Sequence, residues 1–230
     1  MIELYEKRHM GQRCIIICNG PSLNKTNFSL IRKETCIGMN KIFLGFSRFG
    51  IYPKYFVAVN ETVLRQSAQE IKGMTSVKFL SNRCPDLFSN NALTHVLDTR
   101  NPSVRFCKDI SQGLEEGWTV TYASLQIAYY LGFKKVVIVG MDHRYEYEGK
   151  PNERKVFHGD DANHFATEYF GGGQEWDNPD LENSEESYRI ARKIFEEDGR
   201  EIIDATVDGR CTIFKKMDLK ASLAVGPQCA

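Results

Sequence analysis

The chain of 230 residues carries 30 basic and 30 acidic side chains and no Lys/Arg stripe, so nucleic acid is excluded as a general partner. A hydrophobic content of 42% and an aromatic content of 11% exclude disorder and suit one domain over residues 1–230. No run approaches the roughly 18 apolar residues of a spanning helix, and the start, with Glu3, Glu6, Lys7 and Arg8, lacks a signal-peptide core. A cytoplasmic protein is therefore expected, with peripheral membrane contact and oligomerisation left open.

Short apolar runs alternate with amphipathic stretches along the chain, the pattern of parallel βαβ units. The first run, residues 14–18, places Cys14, Ile16 and Cys18 on one face of a strand. The seven cysteines are odd in number and include no CxxC pair, so they read as reduced thiols acting as small core residues. The run ends in Asn19-Gly20-Pro21-Ser22-Leu23, and ligands of open α/β sheets bind where strands reach their carboxyl ends. Gly20 is expected to permit a turn closed to other residues, Pro21 to stiffen it, and Ser22 to offer a hydroxyl and an amide to an anion. Neither the GxGxxG nor the GxxxxGK[ST] pattern is present, which disfavours an ordinary NAD site and a P-loop. A ligand-free tight turn is the competing reading.

Strands predicted at 35–38 and 55–59 lead into Asn40 and Asn60. An asparagine offers both a donor and an acceptor, which suits a ribose hydroxyl or a base edge. Three asparagines at one sheet edge are harder to assign to turn formation than one. A helix is predicted over 61–72, then strands over 76–80 and 95–97. Thr119 and Thr121 open a helix over 122–131, whose amino terminus favours anions, and Gly132 can end it. The run Val136-Val137-Ile138-Val139 suits a strand buried on both faces, so helices should cover the sheet on both sides. It runs into Gly140-Met141-Asp142-His143-Arg144-Tyr145. There Asp142 could orient a sugar hydroxyl or act on a proton, and Arg144, Tyr145 and Tyr147 could meet phosphate charge; an exposed polar loop is the alternative.

Residues 145–180 are polar, rich in Gly, Asp and Asn, and nearly devoid of helix or strand signal, so they are expected to form a lid. Within it, residues 158–165 gather two histidines and two carboxylates. His164 is the preferred general base for an acceptor hydroxyl, and the spacing matches no standard zinc pattern. A helix over 184–197 and a strand over 201–203 complete a Rossmann-like α/β fold, a mostly parallel sheet flanked by helices.

Asn19-Gly20-Pro21-Ser22-Leu23, Asn40, Asn60 and the unit over 121–136 running into Gly140-Met141-Asp142 resemble the bacterial sialyltransferases of glycosyltransferase family 42. They also resemble the broader MptE-like superfamily, whose members include an archaeal hydroxymethyl-dihydropterin pyrophosphokinase. The resemblance covers residues 12–145; His164-Phe165, Tyr169-Phe170-Gly171 and the late helix are more similar to the MptE-like set. It implies that Asn19, Asn40 and Asn60 surround the nucleotide of a CMP-sugar and that Asp142 is the family's aspartate after the strand. It further implies that Tyr145 or Tyr147 meets the leaving phosphate, that His164 is the nearest equivalent of the base, and that transfer needs no metal or cofactor beyond the donor. The chain departs where those enzymes place an arginine for the donor carboxylate, reading Gly117-Trp118, and where their Thr-Ser-Gly turn reads Thr119-Val120-Thr121. Arg144 replaces the first of their phosphate tyrosines. Sialic acid is thereby put in question as the donor sugar.

The leading expectation is an inverting glycosyltransferase with a nucleotide-sugar donor and a glycan acceptor, acting in bacterial surface glycan or lipopolysaccharide synthesis. A pyrophosphokinase would instead need Mg²⁺ on ATP, held by Asp142, Asp160 or Asp161. A silent nucleotide-binding subunit is the non-enzymatic alternative.

Overall fold

The computed structural model describes residues 2–100 and 105–224. All seven predicted strands form: β1 Arg13–Ile17, β2 Cys36–Met39, β3 Tyr55–Ala58, β4 Val77–Ser81, β5 Thr94–Leu97, β6 Lys135–Val139 and β7 Glu201–Asp204. A short eighth, β8 Lys215–Lys216, extends the sheet, whose order is β8-β7-β6-β1-β2-β3-β4-β5. Every neighbouring pair is parallel. Continuous apolar runs explain this, because β6 is buried along its whole length and cannot leave a face to water.

Among the described residues six α-helices accompany the strands: α1 Phe46–Phe49, α2 Glu61–Gln66, α3 Ala68–Gly73, α4 Val120–Tyr130, α5 Leu181–Glu197 and α6 Leu219–Ala224. None of the described helices is long and apolar enough to cross a membrane. Helix α5 starts where the Asp180 side chain accepts from Asn183 N at 3.1 Å, and Gly199, at φ +64°, follows its end. The expected helix over 61–72 is interrupted at Ser67, whose φ of −120° ends α2 and opens α3; serine favours such ends over helix interiors.

Alternation along β1 divides the core. Cys14 and Ile16 pack beneath Tyr122, Leu125, Tyr188 and Phe195 of α4 and α5, while Ile15 and Ile17 face the opposite cluster. That second cluster includes Phe165, Tyr169, Phe170 and Trp176, all from the segment expected to lack structure. The same segment also contains an antiparallel pair, Arg154–Val156 with Glu175–Asp177. Its polar composition concealed aromatic anchors that follow neither a helical nor a strand period. Of the cysteines, Cys14, Cys18, Cys36, Cys84, Cys107 and Cys211 are free, and Cys229 lies outside the described residues. Burial pushes the Cys18 and Cys36 thiols up to about 12, which leaves them unreactive.

At the amino ends of the strands two histidines are buried. His9 bonds Tyr55 Oη and Gln12 Oε1, each at 2.8 Å, and stacks on Phe133. His95 lies against Tyr5 and Phe79, and its Nε2 has no partner. Desolvation lowers both pKa values below the ordinary 6.5. As pH falls below about 6.5, the unfolded chain takes up protons that the folded chain resists, so stability drops toward acid. The urea midpoint should therefore fall between pH 7.5 and 5.5, with a shallower fall in His95→Phe. An equal slope in both proteins would refute this role for His95.

Candidate active site

From β1 to β5 the chain moves outward across the sheet, then returns to place β6 on the other side of β1. This reversal is the topological switch point, where a crevice opens at the carboxyl ends of the strands. A cleft of about 380 Å³ occupies it, within the size range of ligand sites. Asn19 and Gly20 after β1, Asn40 after β2, Asn60 after β3 and Gly140 after β6 line its base. Thr119 and Thr121 line it at the start of α4, and Tyr145, His164 and Trp176 come from the segment over 145–180.

The three asparagines are used differently. Asn19 donates from Nδ2 to Met39 O at 3.1 Å, but its Oδ1 is buried without a partner. Asn40 Oδ1 is also buried and unpartnered, on a residue at φ +48°, a conformation asparagine tolerates. Asn60 is committed within the protein: its Oδ1 accepts from Val63 N at 3.1 Å, capping α2, and its Nδ2 donates to Asp177 Oδ2 at 3.0 Å. Two further lining residues, Thr62 and Asn178, carry buried unpartnered oxygens. Buried acceptors without donors are costly, and their concentration in one cleft suits a ligand rich in N–H or O–H groups.

Helix α4 presents its amino terminus to this wall. Thr119 caps it, accepting from Thr121 N at 3.3 Å and sharing a 3.3 Å hydroxyl contact with Tyr188. A developing negative charge is favoured there.

The segment over 145–180 contributes a dyad. His164 Nδ1 bonds Asp161 Oδ2 at 2.8 Å, and Asp161 is almost wholly buried, its Oδ1 accepting from Asn163 N at 2.8 Å. The imidazole stacks on Tyr169, with centroids 3.9 Å apart, and meets Phe170 and Trp176 edge-on. A carboxylate at Nδ1 fixes the tautomer that leaves Nε2 basic. Asp161 was legible as a carboxylate, but not as the partner of His164; its i, i+3 spacing was the available signal. Buried Lys41 fastens the same segment, donating from Nζ to Tyr169 O at 2.8 Å and to Gln174 Oε1. Its backbone N donates to Tyr169 Oη at 3.2 Å, and desolvation lowers its ammonium to about 8.

Five expected site residues lie away from the cleft lining: Pro21, Ser22, Asp142, Arg144 and Tyr147. Ser22, expected to meet a ligand anion, donates from N (3.1 Å) and Oγ (2.6 Å) to the Asp142 carboxylate instead. Asp142 thus ties the β1 loop to the β6 loop, with its carboxylate engaged by Ser22. Gly20 has an ordinary φ of −70°; it is required because a Cβ there would overlap Asp142 Oδ2 and lie 2.7 Å from Gly140 O, not because of a special turn. Pro21 begins the short 3₁₀ turn Pro21–Lys25, Arg144 is exposed, and Tyr147 Oη donates to Pro179 O at 3.2 Å. Sequence reasoning overlooked Glu116, His143 and Tyr188 as lining residues. His143 Nε2 lies 3.0 Å from Glu185 Oε1.

Residues 2–148, the stretch that supplies the sheet edge and the start of α4, match the family described as 6-hydroxymethylpterin diphosphokinase MptE-like. The chain belongs to the MptE-like family. This MptE-like chain is 23% identical over 184 residues to a Salmonella typhimurium (strain LT2) protein named probable 3-deoxy-manno-octulosonic acid transferase, covering 62% of the chain and 68% of that protein. An Escherichia coli K12 protein of the same name is 30% identical over 89 residues, which span 39% of the chain and 31% of that protein. Among solved structures it is similar to the MAf glycosyltransferase from Magnetospirillum magneticum AMB-1, with a TM-score of 0.58 and 16% identity. That match covers 96% of the MptE-like chain and 35% of the larger one, and it establishes the shared α/β fold.

Proposed function

We propose that this MptE-like protein is an inverting glycosyltransferase that moves a sugar from a CMP-activated or related nucleotide donor to a glycan hydroxyl in bacterial surface glycan synthesis. The observation that carries the reading is His164, held by buried Asp161, in the same cleft as the unpartnered oxygens of Asn19 and Asn40. The names of the two curated relatives support glycosyl transfer and favour a 3-deoxy-octulosonic acid as the sugar.

In the proposed step the acceptor oxygen bonds to the anomeric carbon as its proton passes to His164 Nε2. The bond from that carbon to the phosphate oxygen breaks, and CMP leaves with the electron pair. The α4 amino terminus and the Tyr145 hydroxyl meet the charge on the leaving phosphate, a role that needs no metal. The family's name favours a second reading, a Mg²⁺-dependent pyrophosphokinase. Of the carboxylates it would use, Asp142 is engaged by Ser22 and Asp161 by His164.

Calorimetric titration with CMP, CDP, UDP and ATP, each with and without Mg²⁺, separates the two. CMP should bind without metal, and Asn40→Gly should weaken it about tenfold. Glycine is the suitable replacement because the backbone there is left-handed. Preference for Mg²⁺-ATP would reject the transferase.

A further inference from the structure

The two tryptophans are placed in opposite ways. Trp176 is buried in the lid among Tyr147, Phe157, His164 and Phe170. Trp118 lines the cleft, partly exposed, and no hydrogen bond or aromatic contact engages its indole among the described residues. Its backbone is left-handed at φ +59°, directly after Gly117 at φ +56°. A bulky residue is rare in that region and persists only where its surroundings enforce it. They do so here. Arg83 grips Glu116 through two bonds of 2.8 and 2.9 Å, a Cβ on Gly117 would overlap the Tyr122 ring, and Thr119 caps α4. The fold thus holds the residue in a strained backbone conformation that leaves part of its indole open to the cleft.

The neighbouring charges indicate what the ring receives. Among the described residues, Glu116, Glu175 and Asp177 line the cleft with one arginine, Arg154, which bonds Asp177 at 2.9 Å. Arg83 is held by Glu116. Carboxylates beside an aromatic face accept sugar hydroxyls while the ring covers the apolar C–H face, and they disfavour a second anionic group next to the donor phosphate. We infer that Trp118 and Glu116 form an acceptor subsite that stacks an uncharged pyranose ring of the glycan. This rests on the transferase reading and adds the acceptor's chemistry to it.

The test uses the full chain saturated with CMP and titrated with deacylated lipopolysaccharide core oligosaccharide, in dephosphorylated form and with its phosphates retained. The dephosphorylated form should quench tryptophan emission and bind more tightly than the phosphorylated form. Trp118→Ala should weaken it about tenfold with CMP affinity unchanged, and Trp118→Phe should remain within about threefold of the parent. Loss of CMP affinity in Trp118→Ala with glycan binding intact would overturn the proposal, assigning the indole to the nucleotide base. Tighter binding of the phosphorylated form, or no binding of either form, would overturn it too. A parent protein that fails to bind CMP is a separate result, and it refutes the transferase reading itself.

Discussion

Replacing His164 with alanine is expected to lower the rate of sugar transfer by about 10²- to 10⁴-fold, the range for losing a positioned general base, with CMP affinity within about threefold of the parent. The separation follows from the geometry. The nucleotide is expected on the asparagine edge, whereas His164 reaches the cleft from the lid on the Tyr169 ring. Because alanine also removes that stacked ring, His164→Phe is the better control: it keeps an aromatic on Tyr169 but has no basic nitrogen, and it should be as inactive as the alanine variant. Asp161→Asn should fall between them and the parent, since an amide still bonds Nδ1 but no longer favours the imidazolium formed as the proton arrives. The measurement is release of CMP from a CMP-sugar with acceptor present, alongside the melting temperature of each variant. Transfer unimpaired in His164→Phe would remove the base from the mechanism.

The sheet was legible because parallel strands buried on both faces have a simple signature: Val136 to Val139 could be little else. The candidate site was legible as far as backbone placement decides it, since whatever follows a strand's carboxyl end lies at the sheet edge; Asn19, Asn40 and Asn60 do so. What no spacing reveals is which polar groups the protein itself consumes. Ser22 looks like an anion ligand until Asp142, 120 residues later, takes both its donors. Asn60 looks like its two counterparts until α2 and Asp177 use both ends of its amide. The lid was obscured for a different reason. Phe165, Tyr169, Phe170 and Trp176 pack as a cluster on one another and on His164, so their spacing follows no helix or strand period. Trp118 was visible only as a departure from a family pattern, since positive φ at a tryptophan leaves no compositional trace.

Gly20→Ala should be among the most destabilising single changes in the chain, costing about 3 kcal/mol and lowering the melting temperature by roughly 6–12 °C. The dihedrals do not require glycine, since φ −70° and ψ 161° are open to alanine. The cost is steric. The added Cβ meets Asp142 Oδ2, held by Ser22 N and Oγ, and sits 2.7 Å from Gly140 O, which is fixed by accepting from Gly20 N at 2.8 Å. Moving the carboxylate aside breaks its bonds to Ser22, and moving the carbonyl displaces the turn after β6. The double variant Gly20→Ala, Asp142→Ala distinguishes this from backbone strain. Asp142→Ala alone should cost about 1–2 kcal/mol for the lost bonds. Combined with Gly20→Ala it should cost clearly less than the two together, because the methyl group then enters space the carboxylate has left. If the two costs simply add, the close approach to Asp142 is not what keeps residue 20 a glycine.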